Sequence, residues 1–92
     1  MAKFRIIVKT TAKNDFLEIL KSGDKASIKK LEKILIELSV HPYSGIGNPE
    51  LLKYDLSGFW SRRINNKNRL IYQIIEGETN EVIIVSALGH YE

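Results

Sequence analysis

The 92-residue chain contains no cysteine. Disulfides and thiolate metal sites are therefore excluded, and an intracellular, cytoplasmic setting is permitted. No apolar run approaches the roughly 20 residues that a membrane span needs. The opening MAKFRIIVK is apolar for too short a stretch to be expected to act as a signal peptide. Proline occurs only twice, at Pro42 and Pro49, so chain punctuation is concentrated in one short segment. Lysine and arginine are missing altogether from Gln73 onward, where four glutamates stand, so the basic surface has to come from the preceding residues.

What is present fits one small α+β domain spanning residues 1–92. Hydrophobic residues make up 43% and charged residues 27%, too apolar a balance for disorder. A chain of this length buries a modest core and favours a partner. The net charge is +3, unevenly spread. Five basic residues (Lys53, Arg62, Arg63, Lys67, Arg69) face two acidic ones between Gly45 and Tyr72. A solvated basic surface and a polyanion footprint both fit that distribution. Arginine forks match phosphate oxygens in pairs, which motivates the second, but charge alone does not decide between them.

Phe4 to Lys9 is rich in β-branched and aromatic residues and predicts a first strand. Thr10-Thr11 predicts an N-cap for a short helix carrying Phe16, Leu17, Ile19 and Leu20. Ser22-Gly23-Asp24 closes that helix and caps the next. Ile28, Leu31, Ile34, Leu35 and Leu38 fall on one helical stripe, ending near Val40 because Pro42 pushes His41 out of the helical region. PYSGIGNP, from Pro42 to Pro49, predicts a tight connector whose glycines let the backbone lie close to something. It has neither the GK[ST] nor the strand-to-helix context of a phosphate loop. A short strand or extended turn is then expected at 50–54, and strands at 59–64, 69–75 and 81–88. Strands segregated after helices imply an antiparallel sheet with the helices packed on one face.

Strand parity sorts the side chains. Leu70, Tyr72 and Ile74 form an apolar set in one strand, and Trp60 and Ile64 in the strand before it. An odd-length turn through Asn65-Asn66-Lys67 places both sets on one face. The same register brings Arg63 and Arg69 together on the opposite face, where their mutual repulsion calls for an anion or a nearby carboxylate. Arg62 falls on the apolar face, at an edge or a bulge. Solvated sheet arginines remain the alternative to a phosphate site.

The stretch NPELLKYDLSGFWSRRINNKNRLIY, followed by a final GHY, resembles the YoeB-type toxins of toxin–antitoxin modules, within the RelE superfamily. The resemblance rests on Gly45, Gly47, Pro49, Glu50, Leu52, Lys53, Leu56, Gly58, Trp60, Ser61, Arg62, Arg63, Ile64, Asn65, Arg69, Leu70, Tyr72, His90 and Tyr91. It implies a RelE-like, microbial-RNase-type fold. It implies a metal-independent endoribonuclease, without cofactor, that cuts mRNA in the ribosomal A site and stops translation. It also implies an antitoxin partner and a homodimer. By the same resemblance Glu50 is the general base, Arg69 the phosphate-stabilising arginine, His90 the general acid and Tyr91 the stacking or orienting aromatic. Arg63 is a further phosphate ligand, and Lys53 and Arg62 are RNA contacts. Asn68 stands where many relatives carry histidine, and activity is expected to survive that change.

These residue types suit the chemistry. RNA cleaved by its own 2′-hydroxyl needs a base at that oxygen, an acid at the leaving 5′-oxygen and fixed positive charge at the phosphorus. A non-catalytic basic module that binds an antitoxin or acidic peptide shares the arginines, but it has no need of Glu50 and His90 together.

Overall fold

The apolar stripe from Ile28 to Leu38 dictates the clearest element, a helix, and the rest of the chain is built around it. The computed structural model describes residues 3–89. Their order is β1 (Arg5–Val8), α1 (Thr10–Ser22), α2 (Lys25–Leu38), β2 (Glu50–Leu51), a single 3-10 turn (Tyr54–Leu56), β3 (Trp60–Arg63), β4 (Arg69–Ile75) and β5 (Glu81–Gly89). The α+β organisation expected from the sequence is the observed one.

The turn between the helices forms for the reasons its residues suggest. Gly23 adopts the left-handed region (φ 73°) and its N–H donates to the Leu20 carbonyl. Asp24 then caps α2, accepting from the Ser27 amide at 3.2 Å and from the Ser27 hydroxyl at 2.7 Å. Those hydrogen bonds, the hydroxyl foremost, hold the Asp24 carboxyl below the usual carboxylate range. The start of α1 differs from expectation. Its N-cap is Lys9, with no side-chain bond, because the Lys9 carbonyl already accepts from the Lys13 amide and makes Thr10 helical.

All five strands join one sheet in the order β1-β5-β4-β3-β2. β2 to β5 are antiparallel neighbours, but β1 pairs with β5 in parallel, Arg5 opposite Glu81 through Val8 opposite Ile84. The sheet is therefore mixed rather than wholly antiparallel. The connectivity explains why: a helical hairpin returns the chain to the end where β1 stopped. Four alternating strands later, β5 runs in the direction of β1.

One face of the sheet carries the core. Ala12 and Ile19 of α1 and Leu31, Ile34 and Leu38 of α2 pack on Ile64, Leu70, Tyr72, Val82, Ile84 and Ala87. Each Leu, Ile or Val side chain among them contributes about 1.5–3 kcal/mol by leaving water. Leu17 and Leu20, grouped with Ile19 from sequence, instead remain more than half exposed. The β3–β4 register is Trp60 opposite Tyr72, Arg62 opposite Leu70 and Arg63 opposite Arg69, the parity derived from the alternation. Ile64 and Asn65 both donate to the Asn68 carbonyl, and the Asn65 side chain takes the Lys67 and Asn68 amides, which closes the turn.

Candidate active site

The sheet face opposite the helices gathers polar side chains from three adjacent strands. Glu50 of β2 pairs with Ser61 of β3, which pairs with Ile71 of β4; one step along, Arg63 pairs with Arg69. Arg69 Nη1 lies 3.6 Å from Glu50 Oε1 and donates to Ser61 Oγ at 3.4 Å. Ser61 is fully buried beneath them, whereas half of the Glu50 side chain remains accessible. A pair at that separation and exposure is weakly coupled, worth about 0–1 kcal/mol. Arg69 therefore keeps most of its capacity to attract an anion, with a carboxylate beside it. Arg63 is exposed next to Arg69 and makes no side-chain hydrogen bond or ion pair among the described residues.

β5 completes the floor. Gly89 pairs with Arg69, and a Cβ at Gly89 would sit 2.8 Å from Ile71 Cγ1 and 3.1 Å from Ser86 Oγ. Only glycine fits the strand there without pushing on the residues beneath Arg69. The pairing shifts twice along β4–β5, between Arg69 and Ile71 and between Ile71 and Tyr72. Asp15 of α1 answers the irregularity, with Oδ2 accepting from the Ala87 amide at 2.9 Å and the Leu88 amide at 3.3 Å.

The sequence-predicted residues divide accordingly. Glu50, Arg63 and Arg69 share this face, and Lys53 is exposed just beyond β2. His90 and Tyr91 lie outside the described residues. Arg62 is a correction: it does not contribute to this face. It is fully buried on the helix side, and all five of its N–H donors are engaged. Nε donates to Tyr72 Oη at 3.1 Å, Nη1 to Glu37 Oε1 at 2.7 Å and the Ile46 carbonyl at 3.4 Å, and Nη2 to the His41 and Ser44 carbonyls at 2.7 and 2.8 Å. A guanidinium so enclosed cannot reach RNA. Parity places Arg62 on the apolar face; its partners, up to 25 residues distant, leave no local mark in the sequence. Ser61 was legible as a polar-face residue from the same alternation, though not as a contact of Arg69.

The Pro42–Pro49 loop thereby acquires its physical reason. A Cβ at Gly45 (φ 133°) would fall 1.9 Å from Glu37 Oε1, and one at Gly47 (φ 83°) 2.9 Å from the Arg63 carbonyl. The backbone lies close to protein, to α2 on one side and β3 on the other. Burial pushes the Tyr72 phenol, which accepts from Arg62, above the ordinary tyrosine value, with the Arg62 contacts acting in the opposite sense.

Fold and site together define a small basic α+β domain with a carboxylate–arginine pair on the sheet face opposite its helices. Residues 9–91 match the family model of the YoeB-like toxin of bacterial type II toxin–antitoxin systems, and the chain belongs to that family. It is 40% identical over 70 residues to Toxin YoeB of Synechocystis sp., which covers 76% of this chain and 78% of that protein. Among solved structures it resembles the YoeB dimer from Staphylococcus aureus, with TM-score 0.78 and 34% identity over 98% of this chain and 100% of that one. It also resembles the toxin in a heterotetrameric YoeB–YefM toxin–antitoxin complex from the same organism, at TM-score 0.76 and 34% identity, with the same coverage.

Proposed function

We propose that this toxin is a ribosome-dependent mRNA endoribonuclease that acts in the cytoplasm, cutting mRNA in the A site by metal-independent acid–base chemistry. The observation that carries the reading is Glu50 beside Arg69 on an accessible sheet face, with Arg63 next to them. In this mechanism Glu50 removes the 2′-hydroxyl proton and the 2′-oxygen attacks the adjacent phosphorus. Arg69 and Arg63 stabilise the charge that develops on the phosphate oxygens. The P–O5′ bond breaks as His90 gives its proton to the leaving oxygen, and Tyr91 stacks on a base held open for attack. The products are a 2′,3′-cyclic phosphate and a 5′-hydroxyl. Lys53 contributes positive charge along the RNA. An antitoxin binds the toxin and the toxin pairs with a second copy, a reading supported by the solved YoeB dimer and YoeB–YefM complex.

The deciding assay is cleavage of mRNA on programmed ribosomes, with end-group analysis of the products. Wild type is expected to cut and leave a cyclic phosphate, and Glu50→Ala and His90→Ala are expected to lose about 10²–10⁴-fold in rate. A wild-type protein that binds antitoxin but leaves ribosome-bound mRNA intact would reduce this face to a binding module.

A further inference from the structure

Arg62 is the one fully buried charged side chain among the described residues, and the cleavage chemistry has no task for it. Its bonds share a direction. Three of the five go to carbonyls of a single segment, those of His41, Ser44 and Ile46. A fourth goes to Glu37, whose same oxygen, Oε1, also accepts from the Ile46 amide at 2.9 Å. The segment is thus gripped through both its carbonyls and its amide. Gly47 then continues along β3, its carbonyl accepting from the Arg63 amide at 2.6 Å, and Glu50 follows three residues later, opposite Ser61.

We propose that the pair of the buried Arg62 and the part-buried Glu37 is a positioning device: it clamps the Pro42–Pro49 loop against β3 and so sets where the Glu50 carboxylate stands beside Arg69. The proposal rests on the general-base reading of Glu50. β2 is only two residues long, so its own pairing with β3 is a weak constraint. Preceding loop bonds must supply the remainder. The two adjacent arginines of β3 consequently serve one centre from opposite faces: Arg63 stands on the phosphate side, and Arg62 fixes the loop that leads to the base. Glu37 and Arg62 are positioning residues and do not touch RNA.

The test has two arms, applied to Glu37→Ala in the full chain. If that variant does not fold, Arg62→Met/Glu37→Met replaces it, because swapping a buried ion pair for apolar side chains of similar volume is commonly tolerated. The first arm is amide hydrogen exchange. The Ile46 and Arg63 amides are expected to exchange at least about tenfold faster than in wild type while amides in β4 and β5 do not change. Unchanged exchange at both positions would overturn the clamp. The second arm is a kinetic cycle on programmed ribosomes. In the wild-type background the substitution is expected to lower kcat about 10–100-fold with KM held within about twofold, the signature of a displaced reacting group. In a Glu50→Gln background it is expected to have no further effect. Equal losses in the two backgrounds would mean general weakening of the fold and would overturn the proposal. A Glu50→Gln enzyme with wild-type rate would instead defeat the general-base reading, and the exchange arm then judges the clamp alone.

Discussion

Arg62 and Arg69 show how differently one side-chain chemistry is used seven residues apart. Arg69 is part-exposed, with a carboxylate at 3.6 Å and a long bond to Ser61. Arg69→Ala removes little packing and an ion pair worth about 0–1 kcal/mol, so the thermal midpoint should scarcely move. Under the proposed function the same change should abolish mRNA cleavage, and a circular-dichroism melt beside the ribosome assay separates the two effects. Arg62→Ala should reverse the pattern. It takes one of two donors from the Glu37 carboxylate and strands the His41 and Ser44 carbonyls, a loss of about 3–5 kcal/mol that urea denaturation would measure. An Arg62→Ala protein of wild-type stability would contradict the buried network. The distinction between the two arginines was legible from parity, since 62 and 70 alternate with 63 and 69. What could not be read was the reason Arg62 tolerates burial. Glu37 sits on a different helix, and the remaining acceptors are backbone carbonyls that any sequence would supply.

At the level of elements, the same contrast separates local from long-range causes. The αα-hairpin was readable because its glycine, its capping aspartate and its apolar stripe act within a few residues. The direction of β1 was implicit in the count of reversals that follow it, yet no side chain announces a parallel edge. The irregular stretch of β5 was not readable, because the acceptor that meets its Ala87 and Leu88 amides is Asp15, 72 and 73 residues away. These amides belong to the strand that ends at Gly89, immediately before His90. Asp15→Ala leaves two part-buried donors unsatisfied and should cost about 1–3 kcal/mol. Asp15→Asn, which keeps an acceptor oxygen, should recover much of that. Urea unfolding of the two variants, with amide exchange read at Ala87 and Leu88, would check both statements. Equal stabilities for Asp15→Ala and wild type would show that β5 holds its irregular register unaided.

The whole molecule links these pieces through Tyr72. Its ring is buried in the core on β4, and its hydroxyl accepts from Arg62 and donates to the Pro42 carbonyl at 3.4 Å. One phenol thus joins the sheet, the arginine clamp and the start of the loop. Burial raises its pKa above the unfolded value of about 10. Because the folded state holds that proton more tightly than the unfolded chain, the stabilisation is fully present below the unfolded value. It is lost as pH rises through the folded one. Tyr43, whose hydroxyl donates to the Glu76 carboxylate, is raised by that bond and adds in the same direction. Asp24 sets the opposite limit: with a lowered pKa, its contribution holds above the unfolded value of about 4 and falls away as pH drops through the folded one. Stability should therefore be flat between those limits and decline above about pH 10, with tyrosinate absorbance rising together with unfolding. Tyr72→Phe should cost about 1–3 kcal/mol at neutral pH by stranding the Arg62 Nε donor, and it should flatten the alkaline decline. Chemical denaturation of both proteins from pH 7 to 11 measures both effects. An alkaline decline of equal steepness in Tyr72→Phe would assign it to groups outside this junction, and the loop, the clamp and the core would then titrate independently.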